Sequence, residues 1–385
     1  MALQSAQSLA RPRFVGTAAE ADTRQTLTRR LTQLGYAVTP EDFRFSTTVN
    51  VVVIIALAAS LLLIALAIWA RAFAEWAPAI PALLLLALFA GFNRLLYAAE
   101  ASALTPQSPG FRLGRAYAAQ NLCASLPNAS SDPLLPHLYL VAHYDSKSQR
   151  LPILVRLALF ILLIGGISLF VGVTLISVIL PTWWPAALVI GGLTVLAGLP
   201  LLWMDWADDS PGAIDNASGV GLVLQLAEWL AARPDLAQRL RWTILLTTAE
   251  ELALMGAAAF AQRHLGDLRQ QAGQGGLYIL NFDGIGVDGM LYLDAREQSQ
   301  TSRLAQWVEQ AARAQAVPLR QFNLVGVLFD HMPFARRGLD AVTLTAIGPA
   351  TWTVHTARDT ADQLHLRGFE QAGKVAVKVI ELISQ

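Results

Sequence analysis

Four stretches of this chain carry no charged side chain, and they constrain the fold more than any other feature. At ~1.5 Å of rise per residue, about 20 apolar residues cross a ~30 Å hydrocarbon layer. Val51–Ala70, Leu157–Leu180 and Trp183–Met204 each reach that length, and Pro78–Phe92 reaches it if extended through Asn93 and Arg94 with the Arg94 side chain reaching back to water. The same runs buried in a soluble core would be unusually long and uninterrupted. The sequence therefore predicts about four transmembrane helices, with Trp183, Trp184 and Trp203 at span ends, where indole rings favour the membrane interface.

The spans form two hairpins, the second closed by the uncharged turn PTWW. Each hairpin crosses an even number of times and returns the chain to its starting side. Segments 1–46, 99–154 and 205–385 can then fold as one domain, interrupted by hairpins at 47–98 and 155–204. Arg11, Arg13, Arg24, Arg29, Arg30, Arg44, Arg112, Arg115, Lys147, Arg150 and Arg156 flank the spans on the domain side, against Arg71 in the opposite loops. Basic residues mark the cytoplasmic side, so the expectation is a cytoplasmic domain with both termini beside it. No continuous apolar run lies near the N-terminus, which argues against a signal peptide of the usual form.

Outside the spans the pattern changes to alternating strands and helices. Ala18–Gly35 places Leu27, Leu31 and Leu34 at helical spacing and stops at a glycine, with its charges assigned to a solvated face. QNLCASL, HLYLVAH, RWTILLTT, LYILNF, MLYLD and AVTLTAI read as strands, separated by helical segments. This order implies an α/β fold with a mostly parallel, helix-flanked sheet. Net charge is zero, so no nucleic-acid partner is expected. The single Cys123 excludes an internal disulfide and a thiolate metal cluster, and is expected in the core.

Five stretches stand out because each follows an apolar strand-like run or opens a helix, where open α/β sheets gather ligands. His143 and Asp145 follow HLYLVA, Glu250 and Glu251 follow WTILLTTA, Asp283 follows LYILNF, and His355 follows AVTLTAIGPATWTV. Asp215 lies in SPGAIDNASGVG, a small-residue turn entering a helix, which leaves room for a charged ligand. Each has an ordinary explanation alone: a helix cap, a solvated carboxylate, an exposed histidine. Imidazole and carboxylate donors without thiolate suit zinc.

HYD at His143, GAIDNASG around Asp215, the pair Glu250–Glu251 followed by Gly256, NFDGIG around Asp283, VHTARDT around His355 and the DHxPF element from Asp330 and His331 to Phe334 together resemble the M28 family of zinc metallopeptidases. The resemblance implies two Zn²⁺ ions bridged by Asp215, with His143 and Asp283 completing one site and Glu251 and His355 the other. Asp145 would orient the His143 ring, and Glu250 would be general base and acid for a metal-bound hydroxide removing N-terminal residues from peptides. It also implies a cis peptide between Asp215 and Asn216, and a loop-steadying Asp359. His137, His264, His331 and His365 are expected to bind nothing, with His331 nearest the cleft. The implied partners are a peptide substrate and the lipid bilayer. Two alternatives remain: a single-zinc glutaminyl cyclase, which shares an HYDSK stretch but departs at Asn216, Asp283 and Val354, and a catalytically inactive membrane scaffold.

Overall fold

The computed structural model describes residues 1–385 except 105–112, 128–129, 131, 204, 299 and 325, so Met204 and Arg112 lie outside the described residues. In chain order the elements are α1 (Ala2–Leu9), α2 (Ala18–Gln33), β1 (Ala37–Ser46), α3 (Thr48–Ala70), α4 (Ala79–Leu104), β2 (Ala116–Ser125), β3 (His137–His143), β4 (Ser148–Gln149), α5 (Ile153–Ile179), α6 (Trp184–Gly198) and β5 (Trp206–Ala207). They continue with α7 (Gly219–Ala231), β6 (Arg241–Thr247), α8 (Met255–Arg263), α9 (Leu265–Gln274), β7 (Leu277–Phe282), β8 (Met290–Asp294), α10 (Arg303–Ala314), β9 (Leu319–Gln321), α11 (Met332–Ala335), β10 (Asp340–Ile347) and α12 (Leu366–Ile383). Two compact units emerge: residues 1–45, 117–149 and 206–385, and residues 46–116 and 150–205.

The first unit is built on an eight-stranded sheet of order β1-β2-β6-β3-β7-β10-β8-β9. Its four central strands β6, β3, β7 and β10 run parallel, while β2 and β8 pair antiparallel beside them. Every residue of β3 and β7 is buried, as expected where helices cover both faces. Alternation along β3 assigns the faces. Leu138, Leu140 and Ala142 join a core with α1, α2, α7, α10 and α12, whereas Tyr139 and Val141 join α8, α9 and α11. Because the central strands are parallel, their C-terminal ends share one edge, the edge where a ligand site is built in such sheets.

Several elements are absent from the sequence pattern, among them α9, which takes in much of the QQAGQGG stretch expected as a loop, and the two at the start of the chain. The short α1 is held through Ala2, Ala6 and Leu9 in the main core, and β1 extends the sheet at its edge. The charges of α2 are not all solvated either: Glu20 is 3% exposed and accepts a hydrogen bond from the Tyr144 hydroxyl.

The second unit consists of α3, α4, α5 and α6 with the short turns that flank α6. α3 packs on α4 and α6, and α5 on α4 and α6, around Leu57, Leu61, Ile64, Leu85, Leu163, Ile167, Phe170 and Leu201. Four helical segments, Thr48–Ala70, Ala79–Leu104, Ile153–Ile179 and Pro181–Trp203, are long and apolar enough to cross a membrane. Only 17% to 33% of each apolar window is buried within the protein. Ile55, Leu62, Leu84, Phe89, Ile161, Leu169, Leu193 and Leu196 face outward. The second of these helices continues to Leu104, well past Phe92, because Asn93 and Arg94 interrupt an apolar run without interrupting a helix.

Candidate active site

The ends of the central strands deliver the candidate residues to one place. β3 ends at His143 and continues into Asp145 and Lys147, β6 leads into Glu250 and Glu251, β7 into Asp283, and β10 through the turn Pro349–Thr353 into His355. The two glutamates sit in a turn bracketed by Ala249, Ala253 and Leu254, all with positive φ (58°, 74° and 63°), and His355 itself has φ 62°. Left-handed backbone at non-glycine residues costs about 1–3 kcal/mol each and persists where the surroundings enforce it, commonly at functional sites.

Asp215 arrives from the other side, on the turn before α7. Gly212 opens that turn at φ 57°, and a Cβ there would come within 2.5 Å of Ser146 Cβ and 2.6 Å of the Asp215 carbonyl oxygen. The Asp215–Asn216 peptide is cis. The backbone NH groups of Ile214 and Asp215 donate to Asp359 at 2.7 and 3.2 Å. Asn216 donates to the Phe282 carbonyl at 2.8 Å and accepts from Gly219 N at 2.9 Å, joining the Asp215 turn to the strand that precedes Asp283. Gly219 is required at that crossing, since a Cβ would lie 2.3 Å from the Phe282 oxygen.

Two triads result, His143–Glu250–Asp283 and Asp215–Glu251–His355, each with candidate ligand atoms within 4.8 Å of one another. Asp215 touches both imidazoles: Oδ1 is 3.0 Å from His143 Nε2 and Oδ2 is 3.0 Å from His355 Nε2. His143 Nε2 also lies 3.6 Å from Asp283 Oδ2 and 3.9 Å from Glu250 Oε2, and His355 Nε2 lies 3.0 Å from Glu251 Oε2. Asp145 Oδ1 is 3.4 Å from His143 Nδ1, and the two Asp145 oxygens accept the backbone NH groups of Glu250 and Glu251 at 3.3 and 3.4 Å. Asp145 thus braces the glutamate turn as well as facing the ring.

The donor set fits divalent metal. His143 is fully buried, yet neither ring nitrogen makes a hydrogen bond, although carboxylate oxygens approach both. Burial disfavours a charged His143, but Glu250, Asp145, Asp215 and Asp283 outweigh it and raise the pKa well above the ordinary value. Burial likewise opposes ionisation of Asp215, and His143 and His355 overcome it, holding that carboxyl well below its usual range. Burial raises Glu250 well above the usual value, against the pull of His143 and with added repulsion from Glu251 and Asp283. Burial also pushes Asp283 up to about 6. Carboxylates and imidazoles crowded this closely in a buried site are a donor set suited to cations. Nitrogen and oxygen donors without thiolate suit zinc.

Other residues of interest have different roles. His331 is fully buried, within 2.8 Å of Thr343 Oγ1 and 3.3 Å of the Arg296 carbonyl, so it faces the core and not a substrate. His137 is satisfied by Gln271 and Thr243, His264 lies beside Glu41, and His365 accepts the Arg367 NH at the start of α12. Cys123 is a free thiol packed at the edge of the second core.

Two neighbours carried no role in the sequence. Burial pushes Asp330 up to about 7, where its Oδ1 is buried without a hydrogen bond and its Oδ2 meets the Thr247 hydroxyl. Lys147 pairs its ammonium with Glu251 Oε2 at 3.0 Å and donates to the Glu251 carbonyl at 2.8 Å. In the sequence Lys147 appears only within the HYDSK stretch and among the basic residues flanking the spans.

Residues 121–380 match the description of peptidase family M28. Aminopeptidase YwaD of Bacillus subtilis (strain 168) is 26% identical over 180 residues, covering 44% of this chain and 37% of that protein, so the chain spans little more than a third of that relative's length. The fold resembles BSAP, a zinc aminopeptidase from Bacillus subtilis, with a TM-score of 0.59 at 16% identity over 99% of this chain and 94% of that one. It also resembles Fimbriiglobus ruber glutaminyl cyclase, with a TM-score of 0.56 at 16% identity over 100% of this chain and 94% of that one. At such identities these likenesses speak for the fold alone. The family match, running from residue 121 to residue 380 through every candidate ligand, is what places the chain: it belongs to peptidase family M28.

Proposed function

We propose that this protein is a membrane-anchored, zinc-dependent aminopeptidase that hydrolyses N-terminal residues from peptides. The observation that carries the reading is Asp215, whose two oxygens each lie 3.0 Å from a different imidazole, the arrangement expected of a carboxylate bridging two ions. His143 and Asp283 would hold one ion, and Glu251 and His355 the other. Two zinc ions held by these residues would supply an acidified water and polarisation of the scissile carbonyl. Glu250, whose Oε2 lies 3.9 Å from His143 Nε2, would be the carboxylate that takes up the proton and returns it to the leaving amine. Asp145 and Asp359 hold the glutamate turn and the Asp215 turn through backbone NH groups.

Four largely exposed apolar helices support insertion in a lipid bilayer, and the excess of Arg and Lys flanking the spans supports a cytoplasmic catalytic unit with both termini on that side. A reporter fused to the C-terminus and assayed for cytoplasmic activity tests the orientation.

One observation favours a second reading. Lys147 already supplies a positive charge to Glu251, which suits a single-zinc, glutaminyl cyclase-like acyltransferase. Elemental analysis of the detergent-purified protein separates the two, with hydrolysis of aminoacyl chromogenic substrates followed in parallel. The aminopeptidase reading expects close to two zinc ions per chain, lost together with hydrolysis in Asp215→Ala. One zinc, no hydrolysis and cyclisation of an N-terminal glutaminyl peptide would replace it with the second reading. Absence of any metal would leave only a scaffold.

A further inference from the structure

Among the described residues, the largest fully buried side chain is that of Arg13, 1% exposed. All its hydrogen bonds go to backbone carbonyls. Nε donates to Tyr144 O at 2.7 Å, Nη2 to Gly212 O at 2.8 Å, and Nη1 to Leu9, Arg11 and Pro211. Tyr144 immediately precedes Asp145, and Gly212 opens the turn carrying Asp215. The Arg13 backbone adds to the same junction: its NH donates to Ser146 Oγ at 3.1 Å, and its carbonyl accepts the Ser146 NH at 3.3 Å. Five neutral acceptors leave the guanidinium charge without a carboxylate in contact. Burial disfavours that charge, and Asp359, Asp145, Asp215 and Glu251 act across the interior to sustain it.

We propose that Arg13 is a positioning residue of the metal centre, fixing the spacing between the loop that bears His143 and Asp145 and the turn that bears the bridging Asp215. A planar guanidinium with five NH groups in a rigid fork can join two loops at a set separation, whereas a flexible ammonium on a longer tether cannot. Tyr144 and Gly212 are buried, and although the Gly212 carbonyl also accepts the Ala217 NH at 3.0 Å, removing the fork takes away the one side chain that ties it to the Tyr144 carbonyl and leaves the latter without its donor. Ligands spaced for a bridging carboxylate depend on that separation, because outer partners orient inner ones.

This inference rests on the proposed metal site, and the experiment keeps their failures apart. Full-length protein in detergent, stripped of metal, is titrated with Co²⁺ while the visible d–d absorption and the melting temperature of the metal-free form are recorded. Wild type is compared with Arg13→Met and Arg13→Lys. The expected result is a roughly 10–100-fold weaker affinity for cobalt and an altered d–d spectrum in Arg13→Met, the size typical of lost outer-sphere support, with partial recovery in Arg13→Lys. An Arg13→Met protein that melts lower but binds cobalt with wild-type affinity and spectrum overturns the inference, since Arg13 is then a core brace only. If Arg13→Met does not fold, the spectrum of Arg13→Lys decides in the same way. Cobalt uptake by wild type with no change in either variant defeats this inference alone. No uptake by wild type defeats the proposed metal site and this inference with it.

Discussion

β3 begins and ends with a histidine, and the two could hardly differ more. His137 and His143 are six residues apart on one face of one strand, about 20 Å at 3.3 Å per residue. Both are buried. His137 lies 2.8 Å from Gln271 Oε1 and 2.9 Å from Thr243 Oγ1, one partner for each ring nitrogen. Burial, with the Arg241 charge, pushes its pKa down to about 4. His143 has no hydrogen bond at either nitrogen and is ringed by Asp145, Asp215, Glu250 and Asp283, which raise its pKa. The first is a finished core residue, kept neutral. The second sits among four carboxylates, a donor set suited to a cation. Burial is common to both, so burial does not mark a site; the balance of donors to acceptors does.

The sharpest way to break this contrast is to remove each histidine in turn. Outer partners of a metal ligand are worth about 10–100-fold in affinity, so losing a ligand outright costs more. His143→Ala is expected to weaken metal binding by over ~100-fold and to abolish hydrolysis, while His137→Gln leaves metal content and activity unchanged. Equal metal loss in the two, read by elemental analysis, would erase the distinction. Glu250→Gln comes next. It keeps the shape but removes the proton acceptor, so kcat should fall by about 10²–10⁴-fold with zinc content preserved. A variant that loses zinc as well would make Glu250 a ligand, as its place in the His143 triad permits.

How much of this was legible in the sequence follows the same contrast. The site residues sit in short motifs after apolar strands, so their convergence could be read from strand order alone, and the four apolar runs announced themselves by length. Arg13 could not be read. In sequence it is one more basic residue near a span, because its partners are carbonyls of Tyr144, Pro211 and Gly212, which have no side-chain signature. Lys147 and Asp330 lie within recognisable motifs, but their partners Glu251 and Thr247 come from the turn after β6 and the end of that strand. α1 escaped because eight residues give too few turns for a period, and its apolar contacts lie on distant helices. Local pattern carries the candidate ligands; the supports around them are set by contacts far apart in sequence.

Acid stability sharpens the comparison from the His137 side. Its folded pKa of about 4 lies below the unfolded value of about 6.5, so the unfolded chain takes up the proton first. The stability that His137 contributes while neutral is therefore full above about pH 6.5 and lost progressively as pH falls towards 4. The difference amounts to about 3 kcal/mol. Melting temperatures of wild type and His137→Gln at pH 8 and pH 5 read it, with wild type expected to lose more on acidification. Parallel losses would show that His137 is protonated in the fold or does not resist protonation.

The smallest expected effect separates the two triads from each other. Among the described residues, no lysine or arginine pairs with Glu250 or Asp283, whereas Glu251 carries Lys147 at 3.0 Å from one oxygen and accepts the Lys147 backbone NH at 3.2 Å on the other. Burial works against an ionised Glu251, and His355 and Lys147 outweigh it and lower its pKa. A carboxylate made less basic by an ammonium is a weaker donor to a metal, and that ammonium also repels an incoming cation. If the proposed two-ion site holds, the ions should therefore bind unequally, with the one at Glu251 and His355 weaker. Lys147→Met removes the repulsion and is expected to bring the two affinities closer by about tenfold, the equivalent of ~1.4 kcal/mol, in calorimetric zinc titrations of the metal-free protein. A wider gap in the variant would mean that Lys147 matters more for aiming the Glu251 carboxylate than for its charge, and equal affinities in wild type would show that the ammonium turns away from Glu251 once metal is bound.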